Sequence, residues 1–149
     1  QQAFKVMSVT AKSLKVELQA FDVRGPQEFE SVFAGMAKRR IAAITVQEEP
    51  MLAVNAAAVA SMAARHRIAT AGSPEFAEAG GLMGYGADLV ELYRRAAYFV
   101  DRIFKGGKPA DIPVEQPTKF EFVANMKTAK ALGIKIPNSI LVRAENVIE

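Results

Sequence analysis

The chain has 149 residues, half of them hydrophobic, and 19 Lys+Arg against 16 Asp+Glu give a net charge of +3. That is enough for one domain-sized core and too ordinary in charge and complexity for a disordered or fibrous chain. The basic residues are interspersed with acidic ones and form no stripe, which argues against nucleic acid as a partner. With no cysteine and one histidine, neither a disulfide framework nor a metal site is expected, and no run reaches the roughly 18 apolar residues of a membrane-spanning helix.

The pattern predicts a helix from Ala3 to about Lys12 and a strand over residues 16–23, which are rich in apolar and β-branched types. Gly25-Pro26 punctuates the chain. Phe29, Val32, Phe33, Met36 and Ala37 then recur at spacings of three and four, one face of an amphipathic helix that Arg39-Arg40 closes. Residues 41–46 form a short continuous apolar run, as a parallel strand buried on both faces requires. Strand, helix and strand make a βαβ unit. After Glu48-Glu49-Pro50 an Ala-rich helix is predicted to about Arg65, followed by a strand over residues 68–71.

Ser73-Pro74 opens a loop or brief helix, Gly80-Gly81 turns the chain, and residues 82–85 read as a short strand. Asp88, with Glu91 three residues on, has the spacing of a capping box. The long helix behind it carries a wide apolar stripe that includes Leu89, Leu92, Tyr93, Phe99 and Ile103, and Gly106-Gly107 and Pro109 end it. Such a stripe must pack on something large. Residues 108–117, with three prolines, predict an extended connector, and residues 120–125 a late strand. Asn125 caps a helix ending at Gly133, and Ile140, Leu141, Ala144, Val147 and Ile148 predict a final amphipathic helix. This alternation predicts an α/β fold with a parallel, Rossmann-like sheet and right-handed crossovers. No internal repeat is evident.

Sheets of this class bind ligands outside the carboxyl ends of their strands, so chemistry is expected in the loops over 47–51, 72–76 and 84–88. These carry Glu48, Glu49, Ser73, Glu75, Tyr85 and Asp88 and no cationic side chain, a set that suits a ligand with an ammonium or several hydroxyls. Paired carboxylates also serve acid–base catalysis, but a nucleophile or metal partner would then be expected beside them. Asp88 reads equally as a helix cap and as a ligand contact, which are compatible roles. His66, between Arg65 and Arg67, reads as a helix-end cation and not as a ligand. The run GGLMGYG has the spacing of neither nucleotide-binding glycine motif and reads as a hinge or tight turn. Arg94-Arg95 reads as a solvated helix face, and Tyr93, Tyr98 and Phe99 as core or interface.

The run GGLMGYGADLVELYRRAAYFVDRIFKGGKPADIPVEQPTKFEFVANMKTAKALGIKIP, residues 80–137, closely resembles the C-terminal part of the ABC transporter substrate-binding protein family, and FDVRGPQEFESVFAGMAKRRIAAITVQEEP, residues 21–50, is similar to that family's strand, helix and strand ending in an acidic loop. The resemblance implies a type I periplasmic binding fold, in which two α/β lobes trap a small-molecule solute and deliver it to ABC permease subunits in the membrane. Residues 1–149 would be the second lobe, with residues 87–111 packing on a missing first lobe, or driving a homodimer of the fragment. Members with known ligands include binders of aromatic amino acids, and the corresponding ligand-binding positions here are Glu49, Ser73, Glu75, Tyr85, Gly86 and Asp88. Because Glu48-Glu49-Pro50 stands where relatives often show Gly-Asp-Pro or Asp-Asn-Thr, the solute's identity does not carry over. The resemblance also implies a periplasmic or membrane-anchored extracytoplasmic protein with no cofactor. The chain opens Gln1-Gln2 and enters a helical pattern at once, so a fragment lacking its first half and any export signal is expected.

Two rival readings exist. An effector-binding lobe of a sensory or regulatory protein would share this architecture. A small α/β enzyme is disfavoured by the absence of Cys, the poorly placed His66 and the missing nucleotide motif.

Overall fold

A single sheet of five short strands runs in the order β1-β2-β3-β4-β5 through a computed structural model that describes residues 2–149, the side chains of residues 2 and 3 excepted. β1 (Ala43–Thr45), β2 (Ala69–Gly72) and β3 (Met83–Ala87) are mutually parallel, whereas β4 (Phe120–Asn125) lies antiparallel to β3 and β5 (Asn146–Ile148) parallel to β4. The sheet is therefore mostly parallel, as predicted, with β3–β4 its antiparallel pair among the described residues. The reversal is topological: the chain leaves β3 for the long helix α6 (Leu89–Phe104), comes back through an extended connector, and re-enters beside the strand it left.

The helices follow local chemistry. In α2 (Phe29–Lys38) the spacing of Phe29, Phe33 and Met36 buries all three. The predicted Ala-rich helix is two helices, α3 (Pro50–Val54) and α4 (Ala56–Arg65), parted at Asn55, whose amide donates back to the Met51 carbonyl at 2.8 Å. The Ser73 hydroxyl caps the short α5 (Pro74–Glu78), and Asn125 caps α7 (Met126–Leu132), which ends on Gly133 in the left-handed region.

Two cores result. Phe29, Phe33, Met36, Val59, Ala63, Ile68 and Phe76 form one at the β1 end of the sheet, and Leu82, Ala124, Ala129 and Ile136 form the other near β4.

Two further expectations fail. Residues 16–23 follow α1 (Gln2–Ser13) without regular structure and pair with none of the described strands. The predicted last helix is only α8 (Asn138–Leu141), after which the chain turns into β5. Glu145 causes the turn: its amide donates to the Phe122 carbonyl at 3.0 Å and its carboxylate accepts from the Phe122 amide at 2.7 Å, which draws the chain onto the β4 edge.

Phe76 wedges between two glycines, since a Cβ at Gly72 or Gly81 would lie 2.8 or 2.5 Å from its ring. Removing that ring leaves a cavity that two glycines cannot fill. Phe76→Ala is expected to cost about 3–5 kcal/mol of stability, read as a lower urea midpoint with an unchanged slope.

Candidate functional site

The carboxyl ends of β1, β2 and β3 open into one cavity of about 450 Å3, lined by Glu48 and Glu49 after β1, Ser73 and Glu75 after β2, and Ala87 and Leu89 at the exit of β3. Each element supplies its residue for a local reason. Pro50 fits the first turn of α3, which leaves Glu49 extended just ahead of it. The Ser73 hydroxyl accepts from the Phe76 amide at 3.3 Å, which starts α5 and projects Glu75 from its first turn. Gly84 lets the two loops meet: a Cβ there would overlap the Ser73 carbonyl oxygen and lie 2.8 Å from Pro74 Cα. A Cβ on Gly86 would lie 3.0 Å from Pro74 Cδ and 3.3 Å from Glu48 Oε1, so Gly86 touches both loops.

The cavity wall holds three carboxylates and no Lys, Arg or His. Among the described residues, none of the three pairs with a cation. Leu52, Leu89, Leu92 and the buried Phe76 add apolar surface. Such a wall can receive an ammonium and lay hydrocarbon beside it.

Three expected residues, Tyr85, Gly86 and Asp88, do not line the cavity, although Gly86 packs against two of its loops. Side chains alternate along a strand, so when Gly84 and Gly86 face the Ser73-Pro74 turn, Tyr85 faces the other way, stacked on Phe120 at 5.7 Å. Asp88 is buried, 7% exposed, and both its oxygens are engaged. Oδ1 accepts from the Glu91 amide at 3.0 Å and Oδ2 from Lys119 Nζ at 2.6 Å. The Asp88 amide in turn donates to the Lys119 carbonyl. This clasp joins the two chain segments that leave and re-enter the sheet. The Lys119 hydrogen bond holds the Asp88 carboxyl below the usual carboxylate range, and the same bond raises the Lys119 ammonium.

A neighbouring cavity of about 390 Å3 lies between α6 and residues 115–119. There Arg95 donates two hydrogen bonds to Glu115, at 2.6 and 2.5 Å, and lies 4.0 Å over the Tyr98 ring. Arg95 is thus tied down where a solvated face is expected, whereas Arg94, paired with Glu91, is 69% exposed. Lys119 and Glu115 were not foreseen, since they stand 31 and 20 residues from their partners. His66 stacks on Phe33 at 6.2 Å.

The family model for ABC transporter substrate binding protein matches residues 1–148. The chain belongs to the ABC transporter substrate-binding protein family, which carries a solute-binding role. Among solved structures, a conserved domain protein from Vibrio cholerae O1 biovar El Tor superposes with a TM-score of 0.88 at 20% identity, covering 98% of this chain and 49% of that one. An ABC domain from Streptococcus pneumonia, in complex with L-Trp, gives 0.88 at 28% identity, covering 99% and 50%. The ligand-free, open form of a substrate binding protein with adhesive properties from Clostridium difficile gives 0.69 at 17%, covering 97% and 48%. The chain thus spans about half the length of these structures. No curated protein matches it. No helix among the described residues is long and apolar enough to cross a membrane.

The clasp has a pH signature. A carboxyl depressed on folding stabilises the fold above its unfolded pKa, and that contribution is lost as pH falls through the folded value. The raised Lys119 adds stability below its own unfolded pKa, lost as pH rises through its folded value. Both contributions are complete around neutrality. Asp88→Asn keeps the cap and removes the charge. The melting-temperature gap between the parent and Asp88→Asn should be constant near neutral pH and shrink below about pH 4. A gap of the same size at pH 2.5 would show that the ion pair is not its source.

Proposed function

We propose that this chain is the second lobe of a two-lobe solute-binding protein of an ABC importer. It would capture an ammonium-bearing solute between the carboxyl-edge cavity and the other lobe, with no covalent chemistry, and deliver it to membrane permease subunits outside the cytoplasm. The observation that carries this reading is the cavity: about 450 Å3, with three carboxylates and no cation on its wall, a volume of the order of known small-molecule sites. The Streptococcus structure at 28% identity holds L-Trp, which makes an amino acid the first solute to consider.

In this arrangement Glu48, Glu49 and Glu75 receive the ammonium, Ser73 brings backbone close to it, Gly86 lets the Pro74 and Glu48 loops approach, and Leu52, Leu89 and Leu92 meet its hydrocarbon. A solute carboxylate finds no cation on this wall, so the other lobe supplies its partner. Tyr85 and Asp88 then serve the cleft from its hinge side. Closure follows from differential affinity, because only the closed form engages both ends of the solute.

The long helix fits the same reading. No side chain of α6 is buried, and Tyr93 and Phe104 are 75% and 85% exposed. The first lobe would cover this stripe, and without that lobe the stripe would pair two copies of the chain.

Calorimetric titration of the two-lobe protein with amino acids, simple amines and acids lacking an ammonium tests the proposal. Saturable binding is expected for ammonium-bearing solutes. Glu49→Gln and Glu75→Gln should each weaken it about 10–100-fold, as loss of a charged hydrogen bond of about 1.5–3 kcal/mol requires, with ligand-free melting temperatures unchanged. A preference for anions, or affinities untouched by the double variant, defeats it.

A further inference from the structure

Glu48, Glu49 and Glu75 share one wall, but they are not held alike. Glu49 stands just ahead of α3, and its carbonyl accepts from the Ala53 amide at 2.9 Å. Glu75 rides in the first turn of α5. Glu48 belongs to neither helix. The Glu49 amide donates to the Gln47 carbonyl at 2.9 Å, which closes a tight turn with Glu48 at its centre. Glu48 has no positive φ, so this is the inverse γ-turn common at strand ends. Such a turn carries its central side chain outward from the end of β1, where no cation among the described residues pairs with it.

What receives the Glu48 side chain is β3, which is not a neighbour of β1, since β2 lies between them. A Cβ on Gly86 would lie 3.3 Å from Glu48 Oε1, so the carboxylate rests over a bare α-carbon on the far side of β2. Gly86 itself is not part of the cavity wall. Its φ is not positive, so the position uses the absence of a side chain and not the freedom of a glycine backbone. Gly84 differs in kind. A Cβ there meets the backbone of Ser73 and Pro74, which cannot yield, whereas one at Gly86 meets the far end of a flexible side chain and the Pro74 ring. A glutamate is among the side chains with most rotamer freedom to lose, and a shaped surface that restricts it decides where its charge lies.

We propose that Gly86 is a positioning residue of the acidic cavity: it touches no solute, and its missing side chain is the seat on β3 that fixes where Glu48 presents its carboxylate to an ammonium. This rests on the reading of the cavity as an ammonium site. A methyl group at position 86 fills the seat, so the carboxylate gives way by a few tenths of an ångström or leaves for another rotamer. A charge-assisted hydrogen bond has a short and narrow range of good distances, so a shift of that size costs affinity. Glu49 and Glu75, held by their own helices, keep their places.

Two measurements on the two-lobe protein test this. In the absence of solute, the side-chain carboxyl carbon resonance of Glu48 should move in Gly86→Ala while those of Glu49 and Glu75 stay, and an unmoved Glu48 resonance overturns the proposal. In calorimetric titration with L-Trp and with tryptamine, ammonium-bearing probes with and without a carboxylate, Gly86→Ala should weaken binding about 10-fold, a part of what a lost charged hydrogen bond costs. In a protein already carrying Glu48→Gln, the same substitution should change affinity less than about 2-fold, because both act through one carboxylate. A loss that persists undiminished beside Glu48→Gln overturns the proposal and assigns the effect to Pro74, and an unchanged affinity in the single variant overturns it as well. A parent protein that binds neither probe counts against the reading of the cavity alone, and the Glu48 resonance then decides the seat by itself.

Discussion

The cavity at the carboxyl edge exists because backbone meets backbone at Gly84. The Ser73-Pro74 turn occupies the space of a Cβ at that position, and Gly86 repeats the contact two residues on against Pro74 and Glu48. Neither glycine has positive φ, so they are needed for closeness and not for an unusual dihedral. A side chain at Gly84 would push the second loop off the third, and one at Gly86 would crowd Pro74 and Glu48. The G-x-G of this strand is therefore a packing device that gathers carboxylates, where a similar spelling in a nucleotide-binding protein gathers backbone amides around phosphate.

That device leaves the chemistry of the wall to the loops and the mechanics to the clasp. The chain crosses out at Asp88 and back at Lys119, and the two crossings are bonded through both backbone and side chain. They continue the antiparallel β3–β4 pair, which runs from Met83 opposite Ala124 to Ala87 opposite Phe120. Two connections held side by side move together.

Much of this was legible in the sequence because it is local. The 3–4 spacing of Phe29, Phe33 and Met36 defines the buried face of α2, and Ser73, Asp88 and Asn125 cap the helices their residue types announce. Pairing is not local, and there the reading fails. Residues 16–23 have strand chemistry but no neighbour, β4 reverses because of where the connector returns, and the last helix yields to Glu145 bonding to a residue 23 positions earlier. Tyr85 stands between Gly84 and Gly86, and the period of two places it on the face away from the Ser73-Pro74 turn, beside Phe120.

Three carboxylates gathered without a counter-ion repel one another, and in the open lobe water and salt screen that repulsion. In the proposed two-lobe protein the same charges would act differently once the other lobe covers the cavity. Excluding water lowers the local dielectric and magnifies both the repulsion among Glu48, Glu49 and Glu75 and their attraction for a cation. An empty cleft is thereby penalised on closing, and one holding an ammonium is rewarded. Under the proposed function the acidic wall would couple occupancy to shape, disfavouring the closed form until a cation arrives, which is the discrimination between loaded and empty states that a transport partner would need.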